Sequence, residues 1–330
     1  MIRAAVAGLG WWGRHIIATL KDSERISVVA ATAGRPERHR DFAQEAGIEL
    51  VADVAAAVAD PDIDAVILAT PNTQHEAQVR LAAEAGKQVF CEKPLALTRA
   101  GAERAVAAAN RAGIVLGIGH ERRFEPTMEE VARLVASDAF GTQMHIEANW
   151  SHDILAALDA DNWRGSTEEA PAGAMTGMGV HLTDLFLAMF GPVEAVAAQS
   201  ARRVLGFPTG DVIAVVMRFR AGATGQLAAV SKTPYYCRLT AFGDRMWVEA
   251  RDTKHPQHGG ETHLTTAELG ADPVSRVLPG RNSVRANLEE WADAVEGRAG
   301  YRFTDEERIG NVALLEAIAG AAKSGRWEQV

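Results

Sequence analysis

The sequence predicts an α/β protein: an N-terminal doubly wound parallel sheet, then a C-terminal α+β domain built on an antiparallel sheet. Three observations predict it. Short apolar runs alternate with helix-period segments over the first third of the chain, and from about residue 121 long alternating runs broken by glycine turns take over. The chain has 330 residues, 47% of them hydrophobic, enough for two cores of ordinary size. The expected domains are therefore 1–121 and 122–330.

Residues 2–7 form an apolar strand, 12–20 a helix, 26–32 a second strand, 36–46 a helix and 64–69 a third strand. Thr73 with Glu76 three residues on reads as a capping box that starts a helix ending at Gly86. A strand at 89–91, a helix at 98–111 and a run at 114–118 complete the first sheet. Beyond it, helices are expected at 126–137, 179–190, 283–296 and 305–323. Alternating runs occupy 143–150, 193–204, 211–219, 224–231 and 237–249, with hairpin turns at Ala221-Gly222 and Gly243-Asp244. Residues 252–263 read as an exposed loop. Its histidines His255 and His258, with His263, offer enough nitrogen to suggest zinc, but without nearby regular structure they read as loop, and no metal is expected.

A formal net charge of -9 leaves no basic stripe to neutralise phosphates, so nucleic acid is excluded as a partner and a small-molecule substrate is expected. Cys91 and Cys237 are too few for a disulfide framework, as in a reducing compartment. The opening Met1-Ile2-Arg3-Ala4-Ala5-Val6 runs straight into a strand, and no apolar stretch spans a membrane; the expected location is the cytoplasm.

Gly8-Leu9-Gly10-Trp11-Trp12-Gly13 follows the first strand and opens the first helix, the context in which a GxGxxG turn binds a dinucleotide. Its glycines serve a tight turn, close approach to a pyrophosphate and helix packing, and the helix amino end faces the phosphates. About 20 residues beyond Gly13, where an acid takes the ribose hydroxyls of NAD, stands Ala33. Arg35 and Arg38 lie beside it, following Thr32, and suit a 2′-phosphate, so NADP is favoured with NAD as the alternative. Glu92-Lys93-Pro94 follows the strand at 89–91, which puts an ammonium where α/β proteins bind ligands.

Gly8-x-Gly10-x-x-Gly13, Ala69-Thr70-Pro71-Asn72-x-x-His75, Gly86-Lys87, Glu92-Lys93-Pro94 and Gly179-Val180-His181-Leu182-x-Asp184 together resemble the Gfo/Idh/MocA oxidoreductases, over nearly the whole chain. The resemblance implies a Rossmann domain and a large, open, mainly antiparallel sheet that supports homodimers or homotetramers. It also implies a cofactor cleft lined by Trp11, Trp12, Thr70, Pro71, Asn72 and His75, with Glu92 on the nicotinamide ribose and a cis bond between Lys93 and Pro94. Lys93 then holds the reacting oxygen and His181 exchanges the proton, chemistry that an ammonium and a near-neutral imidazole can perform. Asp184, on the same helix, either orients His181 or is structural.

The family's aspartate four residues before the histidine is Gly177 here. Either Lys93 and His181 suffice, or Tyr235, Tyr236 or Asp211 supplies the missing group. His120, Arg122 and Arg123, after the last strand of the first domain, read as substrate contacts or as an interdomain salt bridge. Trp163-Arg164 reads as a sugar platform or as a core indole beside a surface arginine. The function these features support is an NAD(P)-dependent dehydrogenase or reductase of a sugar, polyol or related cyclic diol. The alternatives are a lyase, isomerase or glycoside-cleaving enzyme that recycles a bound nicotinamide, and a non-catalytic NADP-binding regulator.

Overall fold

The computed structural model describes residues 1–157, 162–254 and 260–330, and the chain divides into two compact units. The first comprises Met1–Glu121 with Asn282–Ile309, the second Arg122–Arg281 with Gly310–Val330.

In the first unit the strands are β1 (Ile2–Ala7), β2 (Ile26–Thr32), β3 (Glu49–Leu50), β4 (Ala65–Leu68), β5 (Gln88–Cys91) and β6 (Leu116–Ile118). Each is parallel to its neighbour, in the order β3-β2-β1-β4-β5-β6. The helices between them are α1 (Trp11–Leu20), α2 (Arg40–Ala46), α3 (Val54–Ala59), α4 (His75–Glu84) and α5 (Arg99–Ala112). A sheet covered on both faces asks for continuous apolar strands, and β4, Ala65-Val66-Ile67-Leu68, is wholly buried. Helix α4 starts two residues past Thr73, where the capping box was expected to begin it. A 3-10 turn over Asn72–Gln74 precedes it, the N-cap is Gln74 without a side-chain cap bond, and the Glu76 carboxylate receives Arg104 instead. Thr98 does cap α5, accepting from the Gly101 amide at 3.1 Å.

The second unit is built on a nine-stranded sheet whose first eight strands are β7 (Gln143–Ser151), β8 (Val193–Ala201), β9 (Val212–Phe219), β10 (Thr224–Val230), β11 (Tyr236–Gly243), β12 (Met246–Asp252), β13 (Thr262–Glu268) and β14 (Val274–Leu278). Only the β7 and β10 pair is parallel among the strand pairs of the described residues in this sheet. Strand β9 reads buried and exposed in strict alternation, so one face enters the core. Helices α6 (Pro126–Val135) and α7 (Val180–Phe190) supply Met128, Val131, Leu182, Leu185 and Phe186 to that core. The run at 237–249 resolves into β11 and β12 joined at Gly243-Asp244, a two-strand hairpin with the turn where expected. The histidines His255 and His258 lie outside the described residues.

After β14 the chain returns to the first unit. Helix α8 (Ser283–Val295) buries Val284, Leu288, Trp291 and Ala292 in the parallel-sheet core, so residues 282–309 depart from the expected assignment of all of 122–330 to the second domain. Trp291 packs edge-on against Phe90 at 5.6 Å between centroids and donates to the Val115 carbonyl at 3.0 Å. Asn287 donates to the Ile118 carbonyl at 2.9 Å, and Tyr301 takes the Ile118 amide at 3.1 Å. Together they cover the exposed edge of β6, which would otherwise offer unpaired backbone. The division between units falls within α9 (Asp305–Ser324), and β15 (Glu328–Gln329) closes the nine-stranded sheet beside β8.

Candidate active site

Strands β1, β4, β5 and β6 run in step: Ala7 pairs with Leu68, Leu68 with Cys91 and Cys91 with Ile118. The next residues, Gly8, Ala69, Glu92 and Gly119, therefore form one row along the carboxyl edge of the sheet. The chain order reverses between β1 and β4, the crevice in which open α/β sheets take ligands. Gly8 has φ +98°, and a Cβ there would lie 2.5 Å from the Ala69 carbonyl oxygen; a Cβ on Gly13 would lie 1.9 Å from that of Gly8. Gly10 differs. A Cβ on it would meet nothing within 4 Å, so protein packing does not require this glycine, whereas a pyrophosphate against the turn does. Helix α1 begins at the next residue with no side-chain cap and no acid in its first turn, which leaves its amino end to an anion. The residues fit a dinucleotide.

Around this turn, Thr32 is buried and its carbonyl accepts from the Gly8 amide at 2.9 Å, so it braces the turn from β2. Trp11 is exposed at the start of α1, and Trp12 stacks on His15 at 5.1 Å. Arg35 and Arg38 are exposed beyond the end of β2. Thr70, Pro71 and Asn72 are half-buried just past β4, with the Thr70 hydroxyl donating to Gln78 at 2.6 Å. His75 was expected to line the cleft with them, but it is wholly buried. Its Nδ1 lies 2.7 Å from the Pro94 carbonyl oxygen and its Nε2 3.0 Å from that of Thr70, so it is a strut tying the loop after β4 to the loop after β5.

The Lys93–Pro94 peptide is cis and Lys93 is half-buried. Glu92 is buried, and its Oε2 accepts from the Lys93 amide at 3.3 Å. Burial, and then the neighbouring Glu121 carboxylate, push the Glu92 carboxyl up to about 8 against the pull of Trp12 and Lys93. Between its ordinary 4.5 and about 8, the unfolded chain releases this proton while the folded chain keeps it. The native state then binds more protons, so stability falls as pH rises through that window and levels off above it. Glu92→Gln keeps the neutral shape and removes this slope. The variant should melt close to the parent at pH 4.5 and increasingly above it towards pH 8, and a gap that does not widen with pH would contradict the assignment.

In the second unit, His181 lies buried in the first turn of α7, directly after a π-helical turn over Met175–Gly179. Its ring centroid is 5.4 Å from that of Trp150, and His152 lies 6.0 Å from the same indole. His152 Nδ1 accepts from the Ile154 amide at 3.2 Å, which places the proton of the neutral ring on Nε2. Gly177, where the family carboxylate would stand, is exposed, and a Cβ there would meet nothing within 4 Å.

Several expected substrate contacts have other duties. Arg123 makes a two-pronged pair with Asp184, Nε to Oδ2 and Nη2 to Oδ1 both at 2.7 Å, and both residues are buried. Asp184 is thereby committed to a guanidinium. Arg122, 1% exposed, bonds Glu125 at 3.0 Å and Asp252 at 2.8 Å and stacks 4.7 Å from the Trp150 ring. Buried ions need such partners, so both arginines correct the expectation of substrate contact. His120 is buried beside Phe303 within the first unit, at 6.2 Å between centroids. Trp163 and Arg164 are half-buried and stack on each other at 4.1 Å.

Two of the three candidates for the missing carboxylate are also occupied. Asp211 accepts the amides of Arg203, Val204 and Leu205, at 2.7, 2.6 and 2.7 Å, and these hold its carboxyl low against burial. Tyr235 donates to Asp252 at 3.2 Å, with burial raising its hydroxyl pKa, while Tyr236 is half-buried under Arg251, 5.4 Å from its ring. The sequence reading missed Arg14, His39, Glu121, Trp150 and His152. Arg14 alone had a local signal, its place directly after the third glycine of the turn.

A dinucleotide cradle with a buried carboxyl in the same row and a lysine one residue past it is the equipment of an NAD(P)-dependent oxidoreductase. A family model described as "Oxidoreductase family, NAD-binding Rossmann fold" matches residues 2–120, and a "GFO/IDH/MocA C-terminal domain" model matches residues 128–249. The chain belongs to the GFO/IDH/MocA oxidoreductase family. It is 30% identical over 340 residues to D-apiose dehydrogenase of Paraburkholderia graminis, covering 98% of this chain and 88% of that protein. It is 28% identical over 335 residues to 1,5-anhydro-D-fructose reductase of Ensifer adhaerens, covering 97% and 98%. The crystal structure of aldose-aldose oxidoreductase from Caulobacter crescentus, with glycerol, superposes with a TM-score of 0.86 at 26% identity, covering 100% of this chain and 99% of that one. No helix among the described residues is long and apolar enough to cross a membrane.

Proposed function

We propose that the protein interconverts a secondary alcohol and its ketone in a sugar or polyol and prefers NADP as the hydride carrier. The observation that carries the reading is the place of Lys93, one residue past the row of strand ends that begins at the glycine turn. When bound, the cofactor gives or accepts a hydride at its nicotinamide. Lys93 places an ammonium on the reacting oxygen, which stabilises the alkoxide character of the transition state. His181 is assigned the exchange of the hydroxyl proton, a task that an imidazole's two ring nitrogens suit. The three relatives above are each named for a carbohydrate, an apiose, an anhydrofructose or an aldose, which supports the substrate class.

The NADP preference rests on Ala33 where an acid would bind the ribose diol of NAD, and on the exposed Arg35 and Arg38 beside it. A screen of sugars, polyols and cyclic ketones against NADPH and NADH tests substrate class and cofactor together. Turnover of a carbohydrate with NADPH as the better donor is expected. Arg35→Ala should raise KM for NADPH by about tenfold and leave that for NADH nearly unchanged. Equal losses for both nucleotides would remove the 2′-phosphate assignment.

A further inference from the structure

Arg14 projects from the first turn of α1, and three groups fix its guanidinium. Nε donates to the Leu9 carbonyl at 3.3 Å, Nη2 lies 2.8 Å from His39 Nδ1, and the guanidinium carbon sits 4.7 Å from the centroid of the Phe42 ring. Arginine has only donors, so His39 Nδ1 is the acceptor and the neutral ring carries its proton on Nε2. Burial, then the charge of Arg14, lower the His39 pKa, with Arg38 adding to this and Glu37 opposing it. The ring therefore stays an acceptor at neutral pH. His39 closes the 3-10 turn Pro36–His39 that begins just past β2, the segment carrying Arg35 and Arg38. The remaining N–H groups of Arg14 have no acceptor among the described residues.

A bland role is available, a strut joining α1 to α2. A strut, however, needs no unspent donors, whereas a planar fork held before the ligand arrives suits a phosphate, because little freedom is lost on binding. These three arginines are thus of two kinds: Arg35 and Arg38 are exposed, while Arg14 is held in place.

We infer that Arg14, positioned by His39, is a second wall of the 2′-phosphate subsite and a determinant of the preference for NADP over NAD. This rests on the reading above that the cofactor is NADP. Arg14 is the contact residue, and His39 acts through it.

The test is calorimetric titration of the full chain with adenosine 2′,5′-bisphosphate and with AMP, which differ only in the 2′-phosphate. The parent should bind the bisphosphate more tightly. Arg14→Met keeps the packing on Phe42 and should weaken the bisphosphate by about 10- to 100-fold while leaving AMP within about twofold. Arg14→Lys, which keeps the charge and loses the fork, should lie between, and it carries the test should the methionine variant not fold. His39→Leu should cost the bisphosphate a smaller factor, about three- to tenfold, and His39→Asn, whose amide oxygen can stand in for Nδ1, should restore it. Equal weakening of both nucleotides would show Arg14 to be a strut and overturn the inference. A parent preference for the bisphosphate that survives Arg14→Met overturns it too, but leaves the NADP reading standing. A parent that does not prefer the bisphosphate sinks both.

Discussion

Lys93→Met should lower kcat/KM by about three orders of magnitude or more while cofactor affinity stays within about threefold of the parent. The substitution retains the length and apolar stem of the side chain, so the cis Lys93–Pro94 turn and the packing around it have little reason to change. What it removes is the one positive charge that the end of β5 brings to the row of strand ends. Steady-state kinetics on the best substrate of the screen, beside a fluorescence titration with NADPH, separates the two effects. A variant that turned over at more than about a tenth of the parent rate would falsify the role given to Lys93. Glu92 sets the context for this result. At neutral pH it is held as a neutral acid by burial and by Glu121, so it does not cancel the ammonium beside it.

The second large effect is on stability. Asp184→Leu takes from the buried Arg123 guanidinium the carboxylate that holds two of its nitrogens, and breaking a buried pair by removing one partner costs about 3–5 kcal/mol. Thermal melting should fall by roughly 10 °C. Adding Arg123→Met to the same chain removes the buried charge as well and should recover most of the loss, since replacing both members of a buried pair by apolar groups is often close to neutral. The pairing of results is diagnostic. If Asp184 instead served mainly to orient His181, the single variant would melt near the parent temperature, and only kcat would fall. The geometry argues for the first outcome, because both oxygens of Asp184 are taken by Arg123.

The cofactor half was legible because its chemistry is local. A strand, a glycine turn and a helix start occupy consecutive residues, and parallel strands in register then align every such turn along one edge. For this reason Gly8, Gly10, Gly13, Glu92 and Lys93 could be named from the chain alone. The periodic elements were legible on the same grounds, since α8 and α9 carry an unbroken helical pattern. Elements with weak or two-sided patterns were not: β3 is two residues long, α3 six, and β14 is exposed along almost its whole length.

The substrate half was legible only as a set of residue types. Whether a buried arginine meets a ligand or a carboxylate of its own fold depends on a partner 61 residues away for Arg123, of which local pattern carries no trace, and on one 130 away for Arg122 beside the local Glu125. His75 was read as a cleft residue because it sits in a motif beside Thr70 and Asn72. Its ring lies inward between two backbone carbonyls, those of Thr70 and Pro94, either of which can take the single N–H of a neutral imidazole.

The sequence by itself determined the parallel and antiparallel sheets, the dinucleotide turn and the lysine at the end of β5, since hydrophobic period and turn chemistry act between near neighbours. Only the tertiary structure decided that residues 282–309 return to the first unit and that Arg122, Arg123 and Asp184 neutralise one another or nearby acids. It likewise decided that Arg14 is held by His39. The physical reason is the same in each case. Burial makes an unpaired charge or an uncovered apolar face costly, and the group that relieves that cost is chosen by proximity in space, which chain order does not record.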